Sequence, residues 1–405
     1  MNISITHILL LASCALATPL TWAQSEIQIR KRAYGVFEVR QFEEFKTVQD
    51  LTPESRRTLD LKEIEAEIEF LFDENNELEI ELEYEHGGTG SSLEHDNFEE
   101  FGEFENEVER GGEVAISEAY YRTRLVDSTY LIIGKSKLYL SLNSAQESPM
   151  DSASPQFSNL EARMIPNQWK ETGVQVESRW RDFVLRGGVV SGLNSEFFRK
   201  YNWIGGGHQR QFETMNADDL AALASVEYGD ALRGRGLALG YYQGDTSRNR
   251  YKRGKLDARA TVKIYSLMGS WSLGPVIASG QILRGELSDS EAVVTANNTL
   301  GGLAAPGNFG SIGSKANLES FQLRWDFLEN WSAFALFEHV NTFAEVEGSV
   351  FADPRYEVQQ QGLGIYHQWS RCFWKLHGWQ ESTQLEGLPS TQTILFQFGF
   401  DTGTI

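Results

Sequence analysis

The stretch L-K-E-I-E-A-E-I-E-F-L-F, Leu61 to Phe72, puts Ile64, Ala66, Ile68, Phe70 and Phe72 on one face and Glu63, Glu65, Glu67 and Glu69 on the other. A period of two is the mark of a β-strand with unlike faces. After the polar turn Asp73 to Asn76 the alternation resumes, with Leu78, Ile80, Leu82 and Tyr84 set against Glu77, Glu79, Glu81, Glu83 and Glu85. The two segments predict a hairpin.

The unit recurs, with short turns near Val126 to Thr129, Trp180 to Asp182, Tyr228 to Arg233, Ser272 to Pro275, Leu328 to Asn330 and Ser370 to Arg371. With an opening strand at about Ile29 to Phe45 and a closing one at Thr391 to Asp401, the count reaches 16 strands, seven short turns and eight longer connections. An even number of strands with short turns on one rim and long loops on the other predicts an all-β fold, a transmembrane antiparallel β-barrel with periplasmic turns and extracellular loops. Aromatic residues gather beside the short turns: Phe70, Phe72, Trp180, Phe183, Trp271, Trp325, Phe327, Trp331, Trp369, Phe373, Trp374, Phe398 and Phe400. They are expected to form an interfacial girdle. A soluble sandwich would not need so many strands, and no motif recurs at the fixed spacing a solenoid requires.

Charge and composition narrow the function. The 405 residues carry 36 Lys+Arg against 57 Asp+Glu, a formal charge of −21, which disfavours a nucleic-acid partner. Beyond the N-terminus no apolar run approaches the roughly 18 to 20 residues of a spanning helix.

Residues 1–23 read as an export signal cleaved before Gln24, leaving 24–405 as the barrel domain. In a second reading, Leu11-Ala12-Ser13-Cys14 is a lipobox and Cys14 is lipidated. The only other cysteine is Cys372.

If apolar positions face lipid, their neighbours line the lumen. The early strands then present Glu38, Arg40, Glu63, Glu65, Glu67, Glu69, Glu77, Glu79, Glu81, Glu83 and Glu85, an acidic wall. Arg122, Arg124, Arg186, Arg259, Lys263, Arg284 and Arg324 supply cations elsewhere, either to neutralise the glutamates or to guide an anionic solute. The third long loop, Ser141 to Asn167, carries Asp151, Glu161 and Arg163 and includes a candidate short helix at Phe157 to Met164. Folded inward, these charges would form a constriction; an outward surface loop is the alternative. The acidic second loop, His86 to Gly112, lacks the spacing of an EF-hand, so no metal site is assigned. Gly205-Gly206-Gly207 lacks the strand-to-helix setting of a phosphate loop, and no cofactor is expected.

The segments E-A-R-M-I-P-N-Q-W-K-E-T-G-V (Glu161 to Val174), N-W-I-G-G-G-H-Q-R (Asn202 to Arg210), S-E-A-Y-Y-R (Ser117 to Arg122) and L-I-I-G-K (Leu131 to Lys135) together resemble the phosphate-selective porin O and P family of Gram-negative outer membranes. That resemblance implies a 16-stranded homotrimeric channel for passive diffusion of small polar or ionic solutes, anions such as phosphate among them, narrowed by its third loop. It also implies an arginine ladder and lysine cluster, from which the glutamate wall departs. Expected partners are outer-membrane lipid, lipopolysaccharide and the barrel-assembly machinery, which would read the alternating aromatics of Ile394 to Phe400. No G-x-S-x-G motif is present and the histidines are scattered, so no enzyme is expected. The competing functions are a channel for polysaccharide export and a non-conducting surface adhesin.

Overall fold

A computed structural model describes residues 27–45, 52–96, 105–208, 215–250, 255–298 and 311–405. The expected export signal with Cys14, residues 97–104 of the acidic second loop, and Gln209 and Arg210 of the fourth lie outside the described residues. The strands are β1 (Gln28–Glu44), β2 (Glu54–Leu71), β3 (Asn76–Asp96), β4 (Glu105–Val126), β5 (Thr129–Lys137), β6 (Lys170–Trp180), β7 (Phe183–Ser191) and β8 (Leu220–Asp230). The second half continues with β9 (Arg235–Asp245), β10 (Thr261–Leu273), β11 (Val276–Leu287), β12 (Lys315–Leu328), β13 (Trp331–Glu345), β14 (Glu357–Trp369), β15 (Cys372–Thr383) and β16 (Thr391–Asp401). Each pairs antiparallel with its neighbours in the chain, and β1 closes on β16 from Tyr34↔Asp401 to Phe42↔Thr393. The fold is the expected 16-stranded barrel.

The short turns fall where the polar breaks predicted them. Tight hairpins need a left-handed residue, supplied by Ser128, Arg181, Asn330 and Ser370 (φ between 54° and 63°) and by Gly274 (φ 62°). The second loop is shorter than expected, because β3 runs on to Asp96 and β4 begins at Glu105. This hairpin stands above the neighbouring 9-residue β5.

The outward face is apolar through the middle of the strands. Leu185, Leu239, Leu267, Phe321, Leu323 and Leu363 are all exposed there. Nearest the short turns a chain of rings closes the band, with Trp180–Phe183 centroids 6.1 Å apart, Trp325–Phe327 5.5 Å and Trp331–Trp374 5.5 Å. One expected member is misplaced. Phe373 is fully buried and faces inward, packing with Val36, Ala153, Phe334 and Tyr366.

Half of the interior is dry. On the inner wall of β10–β14, Val262, Ile264, Leu283, Leu318, Val340 and Val358 pack against Leu160, Met164, Ile165, Phe198, Trp203 and Val293 from long loops. Trp203 donates from Nε1 to the Gly313 carbonyl at 2.8 Å, and its ring lies so close over Gly285 that a Cβ there would collide with it. Each large apolar side chain buried here stabilises by about 1.5–3 kcal/mol.

Leu239 lies at the centre of the outward face of β9 and is 56% exposed. Leu239→Arg is expected to lower the folding free energy in lipid vesicles by about 2–4 kcal/mol. Denaturant titration by tryptophan fluorescence reads the change, and an unaltered midpoint would show that this face does not meet hydrocarbon.

Candidate functional site

The third long loop leaves the wall after β5 and crosses the lumen to the far side. Ser148 Oγ donates to Asp401 Oδ2 (2.5 Å), which also accepts from Arg32 (2.7 Å). Lys375 on β15 donates from Nζ to the carbonyls of Pro149 (2.6 Å) and Ser154 (2.8 Å). Glu338 on β13 accepts from Ser158 Oγ and from the Asn159 amide (3.0 Å). On β11, Gln281 accepts from the Leu142 amide (2.7 Å) and donates to Glu161 Oε2 (2.8 Å). Ser320 on β12 donates to the Phe157 carbonyl (3.1 Å), so the loop is fixed inside the barrel at five strands. It holds a short helix at Leu142–Ala145 and a 3-10 turn at Glu161–Arg163, in place of the longer helix expected over Phe157 to Met164.

This arrangement reassigns the constriction candidates. Glu161 is fully buried among Ser141, Gln281 and the loop's own turn, so it anchors the loop and faces no pore. Asp151 accepts from the amides of Glu147 and Ser148 (both 3.0 Å) and shapes its own turn. Arg163 pairs with Glu381 on β15 at 2.8 Å. A small polar cavity, with room for about one water molecule, lies between the loop and the wall of β16, β1 and β2, lined by Tyr34, Lys62, Glu63, Gln146, Gln168 and Gln397.

That wall is the acidic one. The register sets Glu63 opposite Glu85, Glu65 opposite Glu83, Glu67 opposite Glu81 and Glu69 opposite Glu79. Like charges directly opposed on one face are destabilising, and the neighbours answer part of this. Lys170 donates to Glu81 (2.6 Å) and lies 3.7 Å from Glu118, which Lys137 meets at 3.2 Å. Tyr120 donates to Glu79 (2.5 Å). Neither Lys170 nor Lys137 was read as a lumen residue, because alternation is weak on β5 and β6 where Gly134 adopts φ 130°.

The expected cations divide into two groups. Arg40 (to Glu38, 3.0 Å), Arg122 (to Glu77, 3.0 Å), Arg186 (to Glu177 and Glu227, both 2.9 Å) and Arg324 (to Asp326, 2.6 Å) do face inward, each paired with a carboxylate. Arg124 reaches Glu74 at 3.5 Å beside the short turn. Lys263, Arg284 and Arg259 do not line the lumen. Lys263 shares the outward parity of exposed Tyr265 and Leu267, and Arg284 shares that of Ile282 and pairs with Glu319. Arg259 lies just before β10, in an outward cleft with Tyr241, Gln243 and Thr261. Above the level of Tyr241 and Tyr265 the outer surface has left the apolar band, so charge is tolerated on both faces.

No family model matches the chain, and no curated protein is similar to it in sequence. Solved structures do match along nearly its whole length. An anion-selective porin from Comamonas acidovorans aligns with 93% of this chain and 100% of its own (TM-score 0.54, 11% identity). The outer membrane channel DcaP of Acinetobacter baumannii aligns with 94% and 98% (TM-score 0.54, 10% identity). Salmonella typhi OmpF, solved with daunomycin, aligns with 93% and 97% (TM-score 0.53, 8% identity). The fold is that of the outer-membrane porins.

Burial raises the Glu161 carboxyl to about 7, against the opposing hydrogen bonds from Gln281 and Ser141, and the nearby Glu338 adds to the rise. The folded chain therefore keeps this proton in a range where the unfolded chain releases it. The stability it contributes is full below the ordinary value of 4.5 and is lost as pH rises toward 7. Relative to Glu161→Gln, the parent is expected to lose about 2–3 kcal/mol of stability between roughly pH 5 and pH 8. Parallel chemical-denaturation curves test this, and the same pH slope in both proteins would contradict the buried anchor.

Proposed function

We propose that the chain is an outer-membrane diffusion channel of a Gram-negative bacterium, passing small polar and charged solutes with a preference for cations. The observation that carries this is the run of opposed glutamates on the inner wall of β2 and β3. A water-filled path lined on one side by carboxylates concentrates cations and repels anions. The porin fold and the apolar outer band support the location. The same reading includes export by the N-terminal signal, insertion by barrel-assembly machinery at the aromatic alternation of β16, contact with lipopolysaccharide above the tyrosine level, and assembly as a homotrimer. It assigns the chain no catalytic role.

The phosphate selectivity implied by the family resemblance has less support. Three of the cations it would use face outward, and the inward ones pair with carboxylates. The dry packing of loops against β10–β14 favours a second reading, a barrel that conducts little and works through its outer loops.

Single-channel recording in planar bilayers with asymmetric potassium chloride separates these readings. Small ohmic steps with a cation-directed reversal potential are expected. Glu67→Gln combined with Glu69→Gln should lower that preference by up to roughly tenfold at low salt, and by less as ionic strength rises. Anion preference blocked by phosphate would restore the phosphate reading. A folded barrel without steps would leave the adhesin.

A further inference from the structure

The opposed register of β2 and β3 brings together carboxylates that the sequence separates. Oxygens of Glu63, Glu65 and Glu83 lie within 4.8 Å of one another. Three oxygens at that spacing share a point at most about 2.8 Å from each, so a movement of a few tenths of an ångström reaches the 2.3–2.6 Å of calcium coordination. Magnesium would require contraction to about 2.0–2.1 Å.

A second observation distinguishes this group from a solvated acidic surface. Glu65 is 3% exposed, and its Oε1 is buried without a hydrogen-bond partner. A buried carboxylate oxygen left in this condition is costly. The Tyr34 hydroxyl bonds the same carboxylate and the Lys170 charge acts on it from its ion pair with Glu81 (2.6 Å), while Lys62 pairs with Glu63 (3.4 Å); none of them reaches Oε1. Among the described residues no cationic side chain pairs with Glu65 or Glu83.

In the neighbouring triad, Glu67, Glu69 and Glu79, no carboxylate oxygen is buried without a hydrogen-bond partner. Glu63 also lines the small polar cavity beside the third loop.

We propose that Glu63, Glu65 and Glu83 bind one divalent cation of calcium's size in the barrel wall, bridging β2 to β3 beside the cavity. The site does not depend on conduction, so it is tested without current. The full chain, refolded in detergent and stripped with chelator, is dialysed against radioactive calcium chloride. It is then titrated with terbium, whose luminescence the adjacent Tyr34 sensitises.

One saturable site is expected, weakened at least tenfold by Glu65→Gln and by Glu83→Gln and unchanged by Glu286→Gln on the outer face. Calcium should displace terbium at lower concentration than magnesium does. Tyr34→Phe should lower the luminescence while leaving calcium uptake intact, a readout that needs no change in the acidic groups. Gel mobility without heating confirms that each variant is folded. Calcium uptake unchanged in folded Glu65→Gln, Glu83→Gln or their combination, equal competition by magnesium and calcium, or luminescence indifferent to Tyr34 would each overturn the proposal.

Discussion

A chain that crosses hydrocarbon with strands must pair every backbone amide and carbonyl, because lipid offers no partner for one left over. Here that requirement is met by the seam between β1 and β16, where Phe37↔Phe398 and Val39↔Phe396 bring the chain's two ends into one ladder. Everything else follows from closure. With no free edge, each strand has one face outward and one inward, and a side chain's environment is decided by its parity. The outward face can then be uniformly apolar while the inward face is free to carry charge.

The interior uses that freedom unequally. Around β10–β14 the inward residues are aliphatic and the long loops fill the space against them, as in a soluble core. Around β1–β4 they are acidic, and hydrogen bonds and ion pairs take the place of apolar packing. Four successive pairs of opposed glutamates would be an unfavourable ladder in isolation. Lys170 and Lys137 answer the pressure at Glu81 and Glu118, and Tyr120 does so at Glu79. The remaining opposed carboxylates, Glu63 with Glu85 and Glu65 with Glu83, concentrate the electrostatic strain on one strip of wall.

Much of this was legible in the period-two pattern. Every short turn fell where polar breaks placed it, and the glutamates on β2 and β3 face inward as their apolar neighbours required. The misplaced cations show the limit of that rule. Charge must face inward only within the hydrocarbon band, and Arg284 pairs in register with Tyr265, the ring that marks the band's upper edge. Lys263 and Arg259 lie above it, so their parity held no information about the lumen. The aromatic marker was present in the sequence, two residues from Lys263. Glu161 was less accessible, since its partner Gln281 is 120 residues away and nothing local distinguishes a buried anchor from a pore charge. The inner wall of β10 was ambiguous for another reason: Val262 and Ile264 face in while Tyr265 and Leu267 face out, so both faces read as apolar.

The way the third loop is fastened makes it insensitive to salt. A loop held mainly by exposed ion pairs would loosen as passing electrolyte screened them. Here the central attachments join buried side chains to neutral groups: Lys375 to two carbonyls, Glu338 to an amide and a hydroxyl, Glu161 to a hydroxyl and a carboxamide. Such bonds, shielded from solvent, sit beyond the reach of mobile salt. The loop's position is then independent of ionic strength, while the opposed glutamates of β2 and β3 remain partly uncompensated. Rigid attachment and unbalanced charge are thereby assigned to different parts of the interior.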